Sequence, residues 1–431
     1  MCKEKKHHIL VIGSPLPFTG GGLRALRSLR EYIKYFKVYF FITGFSYKAL
    51  PELINLLKLL KSMNVGLSGF SQMPEMIFKP RKILGTRIVE SILPLMMPNL
   101  AHIRINTLNY NAIIVLNEGW DYVSNGAILA EFLKIPSMVI LQLPPFYSSR
   151  RRFSNILRAI LLWRALRSNT PIEKILSEIE AIILNTSEYY LRRLRYEEVF
   201  RKFNIILGVS KAVAVEMGDE WFNRVICLDP GVSLDDEDLM IIKRVKEKVR
   251  GKENYIVFGG RPTSEKGLFE ALISFKTISK HFPDIKLLIT GKALPTVFPH
   301  IRRICKKLGI ESKVVFTGFI PRERRFEIVA KAKLMLYPSH VDAFPYAVLE
   351  SLHLGTPVIA YRIPALEIYY GGTPGVELVN EWDLESFTVK AIDILEKGVG
   401  VIEPPKIKSW DEIMNEEVRI VQKLVITGKS I

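Results

Sequence analysis

The chain has 431 residues, of which 48% are hydrophobic and 24% charged, and a formal net charge of +17. This balance excludes a disordered or low-complexity polypeptide, and the length exceeds what one hydrophobic core usually holds, so two domains are expected. Residues 92–100, cut by Pro94 and Pro98, fall short of the roughly 18 apolar residues a membrane span needs, and the scattered Cys2, Cys227 and Cys305 exclude a disulfide framework or paired zinc motif.

The first eight residues lead directly into an apolar strand at 9–12, too short for the core of a signal peptide, and a cytoplasmic protein is expected. Residues 13–22 follow, ending in Gly20, Gly21 and Gly22 ahead of a helix from Leu23. Three glycines let a backbone approach a ligand, and the helix amino end attracts negative charge; a plain flexible turn is the alternative. Neither a dinucleotide fingerprint nor a P-loop is present. Strands at 38–43, 112–116, 137–141 and 205–209 alternate with helical patterns, and their near-continuous Val, Ile and Leu runs are those of strands buried on both faces of a parallel sheet. Past the strand at 112–116 stand Glu118 and Asp121, and past 137–141 stands Gln142. Each sits where a loop leaves the carboxyl end of a strand, so each is a candidate for binding a ligand, with a purely structural role as the alternative.

This part of the chain is the basic one. Residues 1–230 carry 31 Lys and Arg against 18 Asp and Glu, whereas residues 231–431 carry 30 against 26. The asymmetry suggests an anionic counterpart: a membrane surface, nucleic acid or a phosphorylated substrate, with solubility as the plainer reason. Two segments mix basic and apolar residues, 78–87 and 150–167, and could lie on an anionic bilayer. On a helical wheel Arg164 falls among Phe153, Leu157 and Ile160, so the second segment is not cleanly amphipathic.

A hinge is expected near Pro230, followed by a charged helix from Glu237 to about Arg250. Asp236, Glu237 and Asp238 match a D-x-D metal motif in form, but at a helix start such acids cap and complement the dipole. A second strand series follows at 255–258, 286–290, 314–317, 334–337 and 357–360. Beyond 255–258, Gly260, Arg261, Lys266 and Gly267 form a turn ahead of a helix from Leu268. Two cations over a helix amino end suit a diphosphate, since Arg binds bidentately and Lys adds a point charge; a solvated charged turn is the alternative. Gly291 and Gly318 with Phe319 lie in short turns at later strand ends and could line the same rim. After 334–337 come Ser339, His340, Asp342 and Phe344, and Glu350 lies about one turn into the next helix. Asp342 and Glu350 could reach one hydroxyl-rich ligand from two sides, or serve only as a cap and a first-turn acid. Ser409 with Glu412 three residues on is a capping box opening a last helix.

The Gly-Arg-x-x-x-Glu-Lys-Gly string at 260–267, the Thr-Gly-Phe at 317–319 and the Pro-Ser-x-x-Asp-x-Phe pattern running to Glu350 resemble the family-4 retaining glycosyltransferases of the GT-B fold. The resemblance is strongest over 255–371; Gly20 to Gly22, Val209 to Lys211 and Pro230 to Val232 follow its landmarks in order. It implies an α/β protein of two tandem Rossmann-like, doubly wound parallel-sheet domains facing across a cleft. The first, at 1–230, would bind the acceptor and the second, at 231–405, the nucleotide-sugar donor, with a C-terminal helix at 406–431 crossing back to the first. By position, Arg261 and Lys266 would hold the donor diphosphate, Glu350 the ribose and Asp342 the sugar. Gly260, Gly291, Gly318, Phe319, Ser339 and Phe344 would line the donor site, and Gly20, Gly21 and Gly22 would approach the phosphates or the acceptor. Asp342 replaces the family's usual Glu, Gln142 stands near the place of its usual His, and with Glu118 and Asp121 it would be a candidate for binding acceptor hydroxyls.

The implied activity is transfer of a sugar, with retention, from a nucleotide-diphosphate sugar to a hydroxyl of a glycan, glycolipid or lipid-linked oligosaccharide. No metal or other cofactor is expected, peripheral association with an anionic membrane is, and nucleic acid is not an expected partner. The alternative is a non-catalytic GT-B-fold binding protein using its basic half for nucleic acid, membrane or a partner protein.

Overall fold

A computed structural model describes residues 6–16, 20–45, 50–72, 102–106, 108–168, 170–291 and 298–428. The chain forms two compact units, each of which draws on separate stretches of sequence. The first comprises residues 1–149, 183–232 and 408–431, the second residues 150–182 and 233–407.

The first unit is built on a sheet of eight described strands: β1 (His8–Ile12), β2 (Lys37–Phe45), β3 (Gly66–Gln72), β4 (His102–Ile105), β5 (Ala112–Val115), β6 (Ser137–Leu141), β7 (Ile205–Gly208) and β8 (Val225–Cys227). Their order is β4-β3-β2-β1-β5-β6-β7-β8, and all pairs are parallel except β3 with β4. Ile9, Leu10, Val11 and Ile12 are fully buried, as are Ala112 to Val115. Such strands, covered on both faces by crossover helices, need the unbroken aliphatic runs seen in the sequence. The strand at 66–72 was not expected, because Gly66, Ser68 and Gly69 read as turn residues. A Cβ on Gly69 would lie 2.0 Å from the Arg104 carbonyl oxygen, so the glycine is what lets the antiparallel edge strand β4 approach.

The last helix, Trp410–Thr427, opens with the expected capping box: the Glu412 amide donates to Ser409 Oγ at 3.3 Å, and the Ser409 amide to Glu412 Oε2 at 2.8 Å. It returns to the first unit and packs on helix Gly20–Tyr35. A buried network fixes the junction. Arg24, 1% exposed, donates to the Gly231 carbonyl at 2.6 Å, to Ser28 Oγ at 2.5 Å and to the fully buried Glu417, whose other oxygen accepts from Tyr32 at 2.5 Å. Removing either charge would strand the other in the core.

The second unit has the strands β9 (Tyr255–Phe258), β10 (Lys286–Thr290), β11 (Val314–Gly318), β12 (Met335–Tyr337), β13 (Val358–Tyr361) and β14 (Val376–Val379), all parallel, in the order β11-β10-β9-β12-β13-β14. It also takes up residues 150–182, which the boundary at 230 assigned to the first domain. The reason is packing. In helix Arg150–Arg167, Trp163 stacks on Phe269 at 4.7 Å, Arg158 lies over the Trp382 ring at 4.4 Å, and Arg152, 9% exposed, pairs with Glu381 at 2.5 Å. Arg164, the misfit of the helical wheel, donates to the Ser177 carbonyl at 3.0 Å and pairs with Glu180 at 3.6 Å. The mixed basic and apolar pattern of this helix therefore has an internal use. The other basic segment, 78–87, lies outside the described residues.

Candidate functional site

In an open parallel sheet the ligand crevice opens at the carboxyl ends of the two strands where the order reverses. In the second unit these are β9 and β12, flanked by β10 on one side and β13 on the other. The segments leaving them are the 259–267 loop and residues 338–345. They meet backbone to backbone: a Cβ on Gly267, whose φ is +73°, would lie 1.9 Å from the Pro338 carbonyl oxygen. Only glycine fits there. Gly267 is also the residue before helix Leu268–His281, so the helix amino end opens at this junction.

Lys266 and Asp342 meet here as an ion pair. Lys266 Nζ donates to Asp342 Oδ2 at 2.8 Å and to the Val341 carbonyl at 2.6 Å, with side chains 13% and 11% exposed. The same Oδ2 accepts from Tyr337 at 2.7 Å and from Ser339 at 3.0 Å. Burial and the Asp342 carboxylate push the Tyr337 phenol well above its ordinary value, which keeps it a donor. Arg261 is exposed and pairs with no acid among the described residues. The site thus has one cation already neutralised and one directed to solvent.

The remaining donor-side candidates divide. Gly291 and Gly318 join the carboxyl ends of β10 and β11 through an amide-to-carbonyl bond of 3.2 Å. Phe319 is 86% exposed beside them. At Gly260, φ +132°, the atoms nearest an added Cβ would be those of the Lys266 side chain, from 3.6 Å. Ser339 is fully buried and serves Asp342, and Phe344 is 6% exposed and packs on Tyr369 and Tyr370, so both shape the site from beneath. Glu350 lies in the second turn of helix Tyr346–His353, 8% exposed, so a first-turn acid does not describe it. Both its oxygens are taken by Arg325, at 2.6 and 2.8 Å. This fork-to-fork pair fixes the carboxylate plane, and a carboxylate has about four acceptor positions, which leaves room for further donors.

In the first unit the order reverses at β1 and β5, and the candidates gather there. The Asn117 side chain accepts from the Ser14 amide at 2.8 Å, joining the loops that leave these strands. Glu118 Oε2 accepts from the Gln142 amide at 2.9 Å, while Gln142 Nε2 donates to the Leu116 carbonyl at 3.1 Å. Burial pushes the carboxyls of Glu118 and Asp121 above the usual range, opposed at Glu118 by backbone amides. Gly20, Gly21 and Gly22 are the first residues of helix Gly20–Tyr35 rather than a loop before it. A Cβ on Gly21 would touch Gln142 at 3.6 Å. Residues 17–19 lie outside the described residues.

Asp238 is 6% exposed and pairs with Arg322 at 2.6 Å, in a helix whose first turn holds Asp236 and Glu237 as well. Among the described residues no group of three or more His, Cys, Asp and Glu is placed to hold a metal ion. No helix among them is long and apolar enough to cross a membrane.

The family model for glycosyl transferases group 1 matches residues 241–375, the stretch that holds Arg261, Lys266, Asp342 and Glu350. Over this stretch the chain is similar to that family. The chain is 27% identical over 192 residues to an uncharacterized glycosyltransferase of Methanocaldococcus jannaschii, covering 40% of this chain and 45% of that one. The matches span between 32% and 55% of the first curated relatives' lengths. Among solved structures, sucrose-phosphate synthase from Thermosynechococcus elongatus aligns with a TM-score of 0.62 at 13% identity, over 98% of this chain and all of that one. The Anabaena protein Alr3699/HepE, in complex with UDP and glucose, aligns at 0.58 and 15%, over 97% and all. At such identities the likeness establishes the fold: two Rossmann-like α/β domains of the GT-B kind.

Several residues of the second unit escaped the sequence. Arg325 stands 25 positions before its partner Glu350 with no motif around it, and only the packing of helix Arg322–Lys331 brings them together. His340, two residues before Asp342, is fully buried with both ring nitrogens on carboxylates, Glu270 at 2.8 Å and Glu381 at 2.9 Å. A buried Glu270 in an otherwise apolar helix stretch was the available signal, because an acid is almost never fully buried unless paired.

Proposed function

We propose that the chain transfers a glycosyl group from a nucleoside-diphosphate sugar to an acceptor hydroxyl, with retention of configuration and without a metal ion. The observation that carries the reading is the 259–267 loop at the sheet's reversal point, with Arg261 exposed and Lys266 beside the amino end of helix Leu268–His281, inside the stretch similar to the group 1 family. Departure of a nucleoside diphosphate leaves growing negative charge, and fixed cations with helix amides stabilise it without reorganising. Arg261 would take the diphosphate bidentately, Lys266 would hold it as a point charge, and Glu350 would accept from a ribose hydroxyl through lone pairs that Arg325 leaves open. Asp342, oriented by Tyr337 and Ser339, would face the sugar. In a retaining transfer the leaving phosphate would help deprotonate the acceptor on the same face.

Glu118, Asp121 and Gln142 would bind the acceptor, a glycan, glycolipid or lipid-linked oligosaccharide, at the rim of β1, β5 and β6. The basic surplus of residues 1–230 favours an anionic membrane as the place where the acceptor is met, from the cytoplasmic side. A screen of donor hydrolysis and transfer over a panel of nucleotide sugars tests the reading, with the product anomer determined by NMR. Activity toward at least one donor, lowered by about 3 kcal/mol or more in Lys266→Ala and Glu350→Ala, is expected. Near-normal transfer in both variants, or inversion, removes it. Flotation with anionic and neutral vesicles tests the membrane clause, and equal binding to both would eliminate it.

A further inference from the structure

Beneath the Lys266–Asp342 pair lies a buried ionic cluster that the proposed transfer does not itself use. Glu270, 1% exposed, comes from helix Leu268–His281, His340 from the segment after β12, Glu381 from the segment after β14, and Arg152 from helix Arg150–Arg167. His340 Nε2 faces Glu270 Oε1 at 2.8 Å and Nδ1 faces Glu381 Oε1 at 2.9 Å. Glu381 Oε2 accepts from Arg152 at 2.5 Å and from Asn155 at 2.7 Å. The other groups packed on the imidazole are Trp382, stacked at 4.8 Å, and Tyr361 at 5.2 Å; Arg158 lies on Trp382.

The charges decide the protonation. A neutral imidazole donates from one nitrogen only, so hydrogen bonds from both ring nitrogens to two carboxylates need one more proton. With that proton, the two acids, Arg152 and His340 sum to zero; without it a net negative charge is buried, which is costly. Burial alone pulls the His340 value down, but the hydrogen bonds to Glu270 and Glu381 outweigh it and leave it raised.

The same residue holds the functional loop. The His340 amide donates to the Glu265 carbonyl at 2.9 Å, its own carbonyl accepts from Arg152 at 2.6 Å, and the next carbonyl, that of Val341, accepts from Lys266. The ring's seat between two acids therefore sets where the 259–267 loop and the 338–345 segment meet.

We propose that His340 is a positioning residue: clamped by Glu270 and Glu381, it fixes the Lys266–Val341–Asp342 contacts and keeps the ground beneath the diphosphate site neutral. Diphosphate affinity is thereby coupled to a proton on a group the ligand never touches. The inference rests on the donor-site reading above. Because the pKa of His340 is raised above its ordinary value, the proton is lost as pH rises through that raised value, and anion affinity falls with it.

Calorimetric titration with UDP, GDP and ADP from about pH 7 to about pH 9.5, below the ordinary lysine value of about 10.4, tests this. Wild type should bind one of them about tenfold more weakly at the upper limit, a loss of about 1.4 kcal/mol. His340→Gln should show that loss already at neutral pH, with a flat profile. Glu270→Gln, which makes the cluster neutral without the extra proton, should keep wild-type affinity and lose the slope; it also serves if His340→Gln does not fold. A flat wild-type profile, or a wild-type slope in Glu270→Gln, overturns the proposal while leaving the donor site standing. Wild type binding none of the three diphosphates would overturn the donor-site reading and this one together.

Discussion

Because Lys266 is already paired, its removal and its partner's removal should have opposite effects on anion binding. In Lys266→Ala the diphosphate loses a cation and also faces Asp342, whose carboxylate lies 2.8 Å from the former ammonium and is only 11% exposed. Two unit charges about 4 Å apart at an effective dielectric of about 20 interact by about 4 kcal/mol. Truncating one member of such a desolvated pair commonly costs about 2 kcal/mol or more, much of it from the charge left behind. Lys266→Ala should therefore weaken nucleoside diphosphate binding by about 3 kcal/mol, on the order of a hundredfold. Asp342→Ala should bind the diphosphate at least as well as wild type while transferring sugar poorly. The double variant should recover about tenfold over Lys266→Ala, since the stranded negative charge is gone. Calorimetry of the four proteins at one pH and low salt measures the cycle. A double variant no tighter than Lys266→Ala would show that Asp342 does not oppose the anion, and the charge argument would fall.

Three further outcomes follow from the geometry. Glu417→Ala should cost about 3 kcal/mol or more in denaturant unfolding of the first unit, because Arg24 is left buried without its acid, whereas joint replacement by Arg24→Met, Glu417→Leu and Tyr32→Phe should restore most of it. Gly267→Ala, forced into a +73° φ and against the Pro338 carbonyl, should both destabilise the second unit and weaken diphosphate binding; a variant with unaltered melting and affinity would contradict the backbone contact. Burial opposes ionisation of Glu381, but His340 and Arg152 hold its carboxyl below the usual range. Its contribution is present above the unfolded value of about 4.3 and lost as pH falls through the lower folded value, so the stability gap between wild type and Glu381→Gln should close on acidification.

The α/β class and every interior strand except β3 were legible, because a strand buried on both faces must be written in unbroken aliphatics. The others missed, β4, β8 and β14, are edge strands, and β3 lies between β2 and the edge strand β4; β3 is rich in Gly and Ser and β4 is the four-residue stretch His102 to Ile105, and neither meets that requirement. The loops at the sheet reversals were legible for the same reason: the ends of readable strands mark them. What escaped were pairings made across long stretches of chain. Nothing near Arg325 announces Glu350, and nothing near Arg152 announces Glu381, so helix Arg150–Arg167 read as a surface element of the basic half. His340 was legible as a neighbour of Asp342 but not in its role, since contact and support look alike in a sequence. Burial and two acids distinguish them.

The arrangement of units along the chain has a consequence for how the protein comes off the ribosome. The first unit is interrupted twice, by residues 150–182 and 233–407, and is completed only by helix Trp410–Thr427. Residues 233–407 can close their own sheet while the first unit still lacks Glu417, so Arg24 waits for its counterion until the chain beyond residue 407 has been made. A premature stop near residue 407 would thus release an intact second sheet joined to a first unit with an unanswered charge in its core, a ready target for quality control.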